Sequence, residues 1–237
     1  MLRRTQVAPA PAHKWAEDGK FDKATRKTIK EQFENPGTYS PDEEKSIKQG
    51  LNIVEKLGGD ATKHPKVQLT KHKTNTPLLS AFICHDGTVH QTYGKVECTV
   101  PASILDNVAF LFDYEANLYK YDVNPNLLKY GVLERVNNHH SVFYYLTTPS
   151  PPFLSRDFVW SFIAKRINDN QIVCVLLPTL HDDAPIADTV VRAEFTRVYR
   201  LTSISPQITK LELFFHLDMK GTSVQRSNPT PPPLPQT

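Results

Sequence analysis

Residues 149–166 read PSPPFLSRDFVWSFIAKR, and this stretch decides the fold class. Pro149, Pro151 and Pro152 cannot donate ladder hydrogen bonds, so they mark a turn or sheet edge before a strand. From Phe158 the residues alternate. Phe158, Trp160, Phe162 and Ala164 fall on one face, and Val159, Ser161, Ile163 and Lys165 on the other. Large aromatics gathered on one face suit a strand that looks onto something wide and apolar. Arg156 and Asp157 stand at the strand mouth, where two readings are open. One is an exposed ion pair worth little. The other is a charge-assisted bond that pins the start of the strand.

Outward from this strand the chain alternates helix and strand signals. Residues 1–19, rich in Pro and Ala without a period, read as a disordered tail. Residues 20–37 read as a short helical extension: Ile29 and Phe33 are spaced i, i+4 within 21–34, and Asn35-Pro36-Gly37 ends the helix. Ser40-Pro41-Asp42-Glu43 is a helix start, with Ser40 as cap, Pro41 in the first helical position and Glu43 closing a capping box. Ile47, Leu51, Val54 and Leu57 form its apolar stripe, and Gly58-Gly59 stops it. Strands are expected at 67–73, 78–85 and 88–99. Pro101 then opens a helix with Ile104, Leu105, Val108, Leu111 and Phe112 on its apolar face, and a short helix follows at 115–121. Six more strands are expected near 127–137, 140–148, 157–167, 171–178, 188–201 and 209–219. Neighbours this close in sequence imply an antiparallel meander, hence an α+β fold with about nine strands.

Composition bounds the function. A chain of 237 residues is enough for one good-sized domain with tails. The net charge of +3 is too weak to argue for nucleic acid. It is uneven: residues 1–75 hold 15 Lys/Arg against 10 Asp/Glu, which fits either a solvated helix face or an anionic membrane surface. Cys84, Cys98 and Cys174 are odd in number and sit in apolar surroundings, so they read as buried free thiols in a reducing compartment. No apolar run approaches the ~18 residues that span a bilayer, and no secretory h-region is present, so a cytoplasmic location is expected. There is no Gly-rich phosphate loop, Cys-x-x-Cys or His-Glu-x-x-His, so no enzyme, metal or cofactor is expected. His139-His140, adjacent on a strand, would point to opposite faces and read as exposed turn histidines. His216, in an apolar strand, reads either as a satisfied structural histidine or as a partner for a ligand's polar group.

Four motifs resemble one family. The proline turn followed by Ser155-Arg156-Asp157-Phe158-Val159 is similar to the signature strand of START domains, the lipid-binding modules related to steroidogenic acute regulatory protein. Tyr121-Asp122 falls where that family has a Trp-Asp pair. Val191-Arg192-Ala193-Glu194 and Leu217-Asp218-Met219-Lys220-Gly221 resemble its later motifs, in the same order. The resemblance covers residues 41 to about 221 and implies a helix-grip domain over 38–222, with an apolar tunnel that takes a lipid or sterol for intracellular transfer or sensing. It also implies transient, peripheral contact with membranes. Sterol-binding members place an acid–arginine pair in the tunnel, and counting without gaps puts these positions on Phe143 and Phe162. Phosphatidylcholine-binding members place an arginine where this chain has Leu118, while Asp122 is kept. The candidate ligand-binding residues are therefore Phe143, Phe158, Trp160, Phe162, Leu118, Asp122, Arg192 and His216, and the loop 182–188 is a candidate gate.

One departure is larger. START domains close the tunnel with a C-terminal helix, whereas here TSVQRSNPTPPPLPQT follows Gly221, and its prolines forbid a long helix. Residues 223–237 read as a polyproline-type tail or linker with loose SH3- and WW-ligand patterns around Pro229, Pro232 and Leu234. The second reading of the chain is thus a lidless scaffold for a protein partner or membrane, or part of a longer protein. The trough left by the lid is expected to be covered by helix 21–34, a second copy or a lipid surface. Phe21, Ile29 and Phe33 offer helix 21–34 little apolar area for that task.

Overall fold

The computed structural model describes residues 37–58, 69–72, 79–85, 91–112, 126–148, 154–187 and 190–220, together with Lys27, Lys30, Glu31, Phe33 and Glu34. Helix α1 spans Pro41–Gly58. Its capping box closes as expected: Glu43 N–H donates to Ser40 Oγ at 3.2 Å, and Ser40 N–H donates to Glu43 Oε2 at 2.7 Å. The buried stripe runs through Glu43, Ile47, Gly50, Val54 and Leu57. Leu51, expected in that stripe, is exposed instead. Gly50 takes the inward position because a Cβ there would stand 2.7 Å from both methyls of Val175, so the helix rests directly on the sheet. Helix α2 spans Ile104–Phe112. It starts later than Pro101 suggested, because Ser103 is the cap: its Oγ accepts from Asp106 N–H at 3.1 Å.

Among the described residues ten strands form one sheet: β1 Thr70–His72, β2 Leu79–His85, β3 Gln91–Val100, β4 Leu127–Asn137, β5 His140–Thr147, β6 Ser155–Asn168, β7 Gln171–Pro178, β8 Val190–Arg192, β9 Glu194–Ser205 and β10 Ile208–Asp218. The order is β1-β2-β3-β10-β9-β7-β6-β5-β4, with β8 paired to β6. The meander holds within β1–β3, β4–β7 and β9–β10, and is broken in two places. The last strand lies between β3 and β9. The strand expected at 188–201 is split at Ala193, because β8 runs parallel to the start of β6, with Asp157 opposite Arg192. Ala193 N–H donates to Asp157 O at 3.0 Å, which fixes the break.

The sheet has helices on both faces. On the inner face, α2 supplies Val108, Ala109 and Phe112 to a cluster with Phe143, Phe158, Trp160, Phe162, Ile172, Cys174, Leu176 and Leu201. Phe33, in the helical residues within 27–34, is buried in this cluster, edge-on to Phe112 at 5.6 Å. Lys30 pairs with Asp106 of α2 at 2.7 Å. The N-terminal extension therefore does reach the inner face, through one ring. On the outer face, Val54 and Leu57 of α1 pack on Val173, Val175, Val198 and Phe214. No disulfide joins the three cysteines, all of which are described; Cys174 is buried, which pushes its thiol pKa up, while Cys84 and Cys98 are half-buried. Among the described residues no helix is long and apolar enough to cross a membrane.

Candidate functional site

Strand alternation in β6 places Phe158, Trp160 and Phe162 on the inner face and Val159, Ser161 and Ile163 on the outer one. Phe143 of β5 stands opposite Trp160 in register and 5.8 Å from the Phe162 ring, so the two positions matched to an acid–arginine pair are neighbours across the strands. Phe162 also meets Phe112 at 5.1 Å, and Phe158 stacks on Trp160 at 5.3 Å. Trp160 Nε1–H donates to Phe195 O at 2.6 Å, so the indole is satisfied while buried. Two cations were not foreseen. The Arg197 guanidinium lies 4.0 Å from the Phe195 ring centroid and 5.0 Å from that of Trp160. Arg135 lies 5.4 Å from the Phe112 centroid and 5.9 Å from that of Phe143. Such contacts hold an arginine against an apolar wall. Period-two spacing within β9, which puts Arg197 beside Phe195 and Tyr199, was the signal that could have found the first.

The strand mouth resolves the question left open by Arg156 and Asp157. Both are buried, and each has partners of its own. Arg156 donates from Nη1 to Leu154 O at 2.6 Å, from Nη2 to Lys220 O at 3.3 Å and from Nε to Met219 O at 3.4 Å, tying the end of β10 to β6. Burial lowers its pKa. Asp157, on the opposite face, accepts from Arg192 Nε at 2.8 Å and Nη2 at 2.9 Å, a bidentate pair. Arg192 Nη2 also donates to Ala184 O at 2.8 Å. Two of the sequence motifs are thus one structural lock.

Arg192 and His216 do not join the aromatic site. His216 stacks on Tyr93 at 4.4 Å on the α1 side of the sheet. The segment around Ala184, read either as a candidate gate or as a surface hairpin loop, folds over the outer face, where Ala184 packs with Val142 and Val159. Leu118, Tyr121, Asp122 and Asp188, the helix expected at 115–121 and the tails 1–19 and 223–237 lie outside the described residues.

The outer face carries a second concentration of chemistry. His139 and His140 are not exposed: His139 is buried and the His140 side chain is 16% exposed. Alternation does not separate them, because His139 belongs to the turn before β5. Both converge on Glu43 Oε1, His140 Nδ1 at 3.0 Å and His139 Nε2 at 3.4 Å. Asn137 Nδ2–H donates to the same oxygen at 2.8 Å, and His140 Nε2 stands 2.8 Å from Ser161 Oγ. Burial pushes the Glu43 pKa upward, but hydrogen bonds from Ser40 N–H, Asn137 and His139 outweigh it and hold the carboxyl at about 2. Tyr39 packs at a tilt against His139, with ring centroids 4.1 Å apart, and its phenol donates to Ala164 O at 2.8 Å. Burial raises the Tyr39 pKa, and the Glu43 charge adds to that. Beside this network, between the first turns of α1 and the sheet, lies a cavity of about 830 Å³.

No protein-family model and no curated protein matches the sequence. Solved structures do match the fold. The human StarD13 (DLC2) lipid transfer and protein localization domain aligns at 18% identity over 78% of this chain and 87% of its own, with a TM-score of 0.53. Human STARD10 aligns at 17% identity over 78% and 70%, with a TM-score of 0.55. Human StAR-related lipid transfer protein 5 aligns at 18% identity over 77% and 86%, also with a TM-score of 0.55. The strand order, the helix on each face and these alignments together show that the chain has the START-like helix-grip fold.

Proposed function

We propose that the inner face binds a hydrophobic ligand, a lipid or sterol, for intracellular transfer or sensing. The observation that supports this reading is the aromatic wall of Phe143, Phe158, Trp160 and Phe162 facing α2 across the START-like sheet. Ligand binding there is driven by removal of apolar surface from water. A lipid that buries ~300 Å² gains on the order of 7 kcal/mol at ~25 cal/mol per Å² before the costs of ordering. Arg197 and Arg135 stand beside the rings and would meet the ligand's polar end. From the family resemblance, Leu118 would add to the apolar wall, Asp122 would lie at the tunnel mouth or pair elsewhere, and docking on a membrane would precede loading. The test is native mass spectrometry of the purified protein, followed by extraction with lipid vesicles. Co-purifying lipid that Trp160→Ala abolishes carries the reading. An empty protein that takes up no lipid or sterol from vesicles overturns it.

A further inference from the structure

Ser161, His140 and Glu43 come from three elements, with Glu43 97 residues before His140, and form a continuous chain of hydrogen bonds at the wall of one cavity. Ser161 Oγ is 2.8 Å from His140 Nε2, and His140 Nδ1 is 3.0 Å from Glu43 Oε1. Both distances fall within the reach that a hydroxyl nucleophile, its base and the group orienting that base require. We propose that these residues are a nucleophile, general base and orienting carboxylate that hydrolyse a small neutral ester bound in the outer cavity. This site is on the sheet face opposite the aromatic wall and does not depend on the lipid-binding reading.

Each member is held rigidly. Ser161 sits in mid-β6, paired to Val142 on one side and Leu177 on the other. His140 opens β5 opposite Ile163. Glu43 is fixed in the first turn of α1 by Ser40 N–H and by Asn137. A carboxylate kept ionised accepts from Nδ1–H, which leaves the Nε2 lone pair to receive the serine proton. All three residues line the cavity, whose ~830 Å³ is within the ~300–1,000 Å³ usual for small-molecule sites. Ile163, Leu177 and Val136 give it an apolar wall for an acyl chain. Lys45 and Gln49 line it too and bring N–H donors to its wall, and the positive end of α1 borders it. The carboxylates of Asp42 and Glu43 on the same wall disfavour an anionic ester.

Hydrolysis proceeds through two successive acyl transfers. Ser161 Oγ bonds to the ester carbonyl carbon as its proton passes to His140 Nε2. The carbon–alkoxy bond breaks, and the departing alcohol takes that proton. Water then attacks the acyl-serine and gives a proton to His140. The bond to Oγ breaks, Oγ recovers the proton, and a carboxylic acid leaves.

The full chain would be treated with a fluorophosphonate probe and assayed with p-nitrophenyl butyrate. The expected result is a single adduct mapped to Ser161, with ester turnover, both lost in Ser161→Ala. That substitution leaves the His140–Glu43 contact in place, so an unchanged circular dichroism melt is its control. Glu43→Gln, which keeps a side chain able to cap Ser40, is expected to lower kcat at least tenfold with KM little changed. A folded wild-type protein that gains no adduct at Ser161 overturns the proposal, as does turnover that persists in Ser161→Ala.

Discussion

Replacing Asp157 by Ala should cost this domain about 3–5 kcal/mol, the range for removing one partner of a buried ion pair. The size follows from the geometry. The carboxylate side chain is 4% exposed and the guanidinium 11%, so water cannot replace the lost partner. Two charge-assisted bonds of 2.8 and 2.9 Å disappear together. What remains of the arginine's bonding here is the 2.8 Å bond from Nη2 to Ala184 O. Against a typical net stability of ~5–15 kcal/mol, the variant would be marginal. Replacing both partners, Asp157→Leu with Arg192→Met, should cost less than either single change, because no charge is left buried. Urea unfolding monitored by intrinsic tryptophan fluorescence gives each value from the midpoint and slope. A single variant within ~1 kcal/mol of wild type would refute the argument. So would a double variant no more stable than Asp157→Ala.

Three further outcomes are expected. Gly50→Ala gains ~1 kcal/mol of helix propensity, yet its Cβ would sit 2.7 Å from two Val175 methyls, so a net loss of ~1–2 kcal/mol is expected; in a Val175→Ala background the same change should cost nothing, and thermal melts of the four proteins decide. Phe162→Arg should abolish lipid uptake, and adding Phe143→Glu should restore part of it, because the two rings are 5.8 Å apart; a double variant that binds no better than the single one sinks the pairing. Glu43 and Glu212 are both held at about 2 against an ordinary 4.5: burial raises each pKa, but hydrogen bonds outweigh it, from Arg200 and Lys210 in the case of Glu212. Their folded pKa values are depressed, so the stability they contribute is present above about 4.5 and is lost as pH falls toward about 2. Urea midpoints should therefore fall between pH 5 and pH 2.5, with a shallower fall in Glu212→Gln; an equal fall would refute the assignment.

The sequence carried the fold where one local rule acted alone. Period-two alternation placed Phe158, Trp160 and Phe162 together, and the Ser40–Glu43 box placed the start of α1. It failed where two distant segments had to meet. Leu51 looked like a stripe residue until the closeness of Val175 to Gly50 turned the helix. The strand expected at 188–201 broke because β8 has a partner in β6, a pairing that no spacing within 188–201 encodes. The Ser161–His140–Glu43 relay was invisible for the same reason: Glu43 read fully as a capping residue, and His140 as half of an exposed pair. Arg192 and His216 were assigned by motif and by apolar context, neither of which states which side of the sheet a side chain takes.

The placement of β10 sets the order in which this molecule can assemble. Val96 of β3, which pairs with Ala81 on one side, finds its other neighbour, Leu213, only when a segment more than a hundred residues later has been made. Until Ile208–Asp218 is available, β3 and β9 both present open edges with unpaired amides. The sheet then exists as two separate ribbons, β1–β3 and β4–β9, with neither able to complete the inner face. The β3–β10 pairing is long-range, and although loop entropy grows only slowly with length, non-local pairings of this kind slow folding. During that interval the two edges are the surfaces by which newly made chains would pair wrongly with one another.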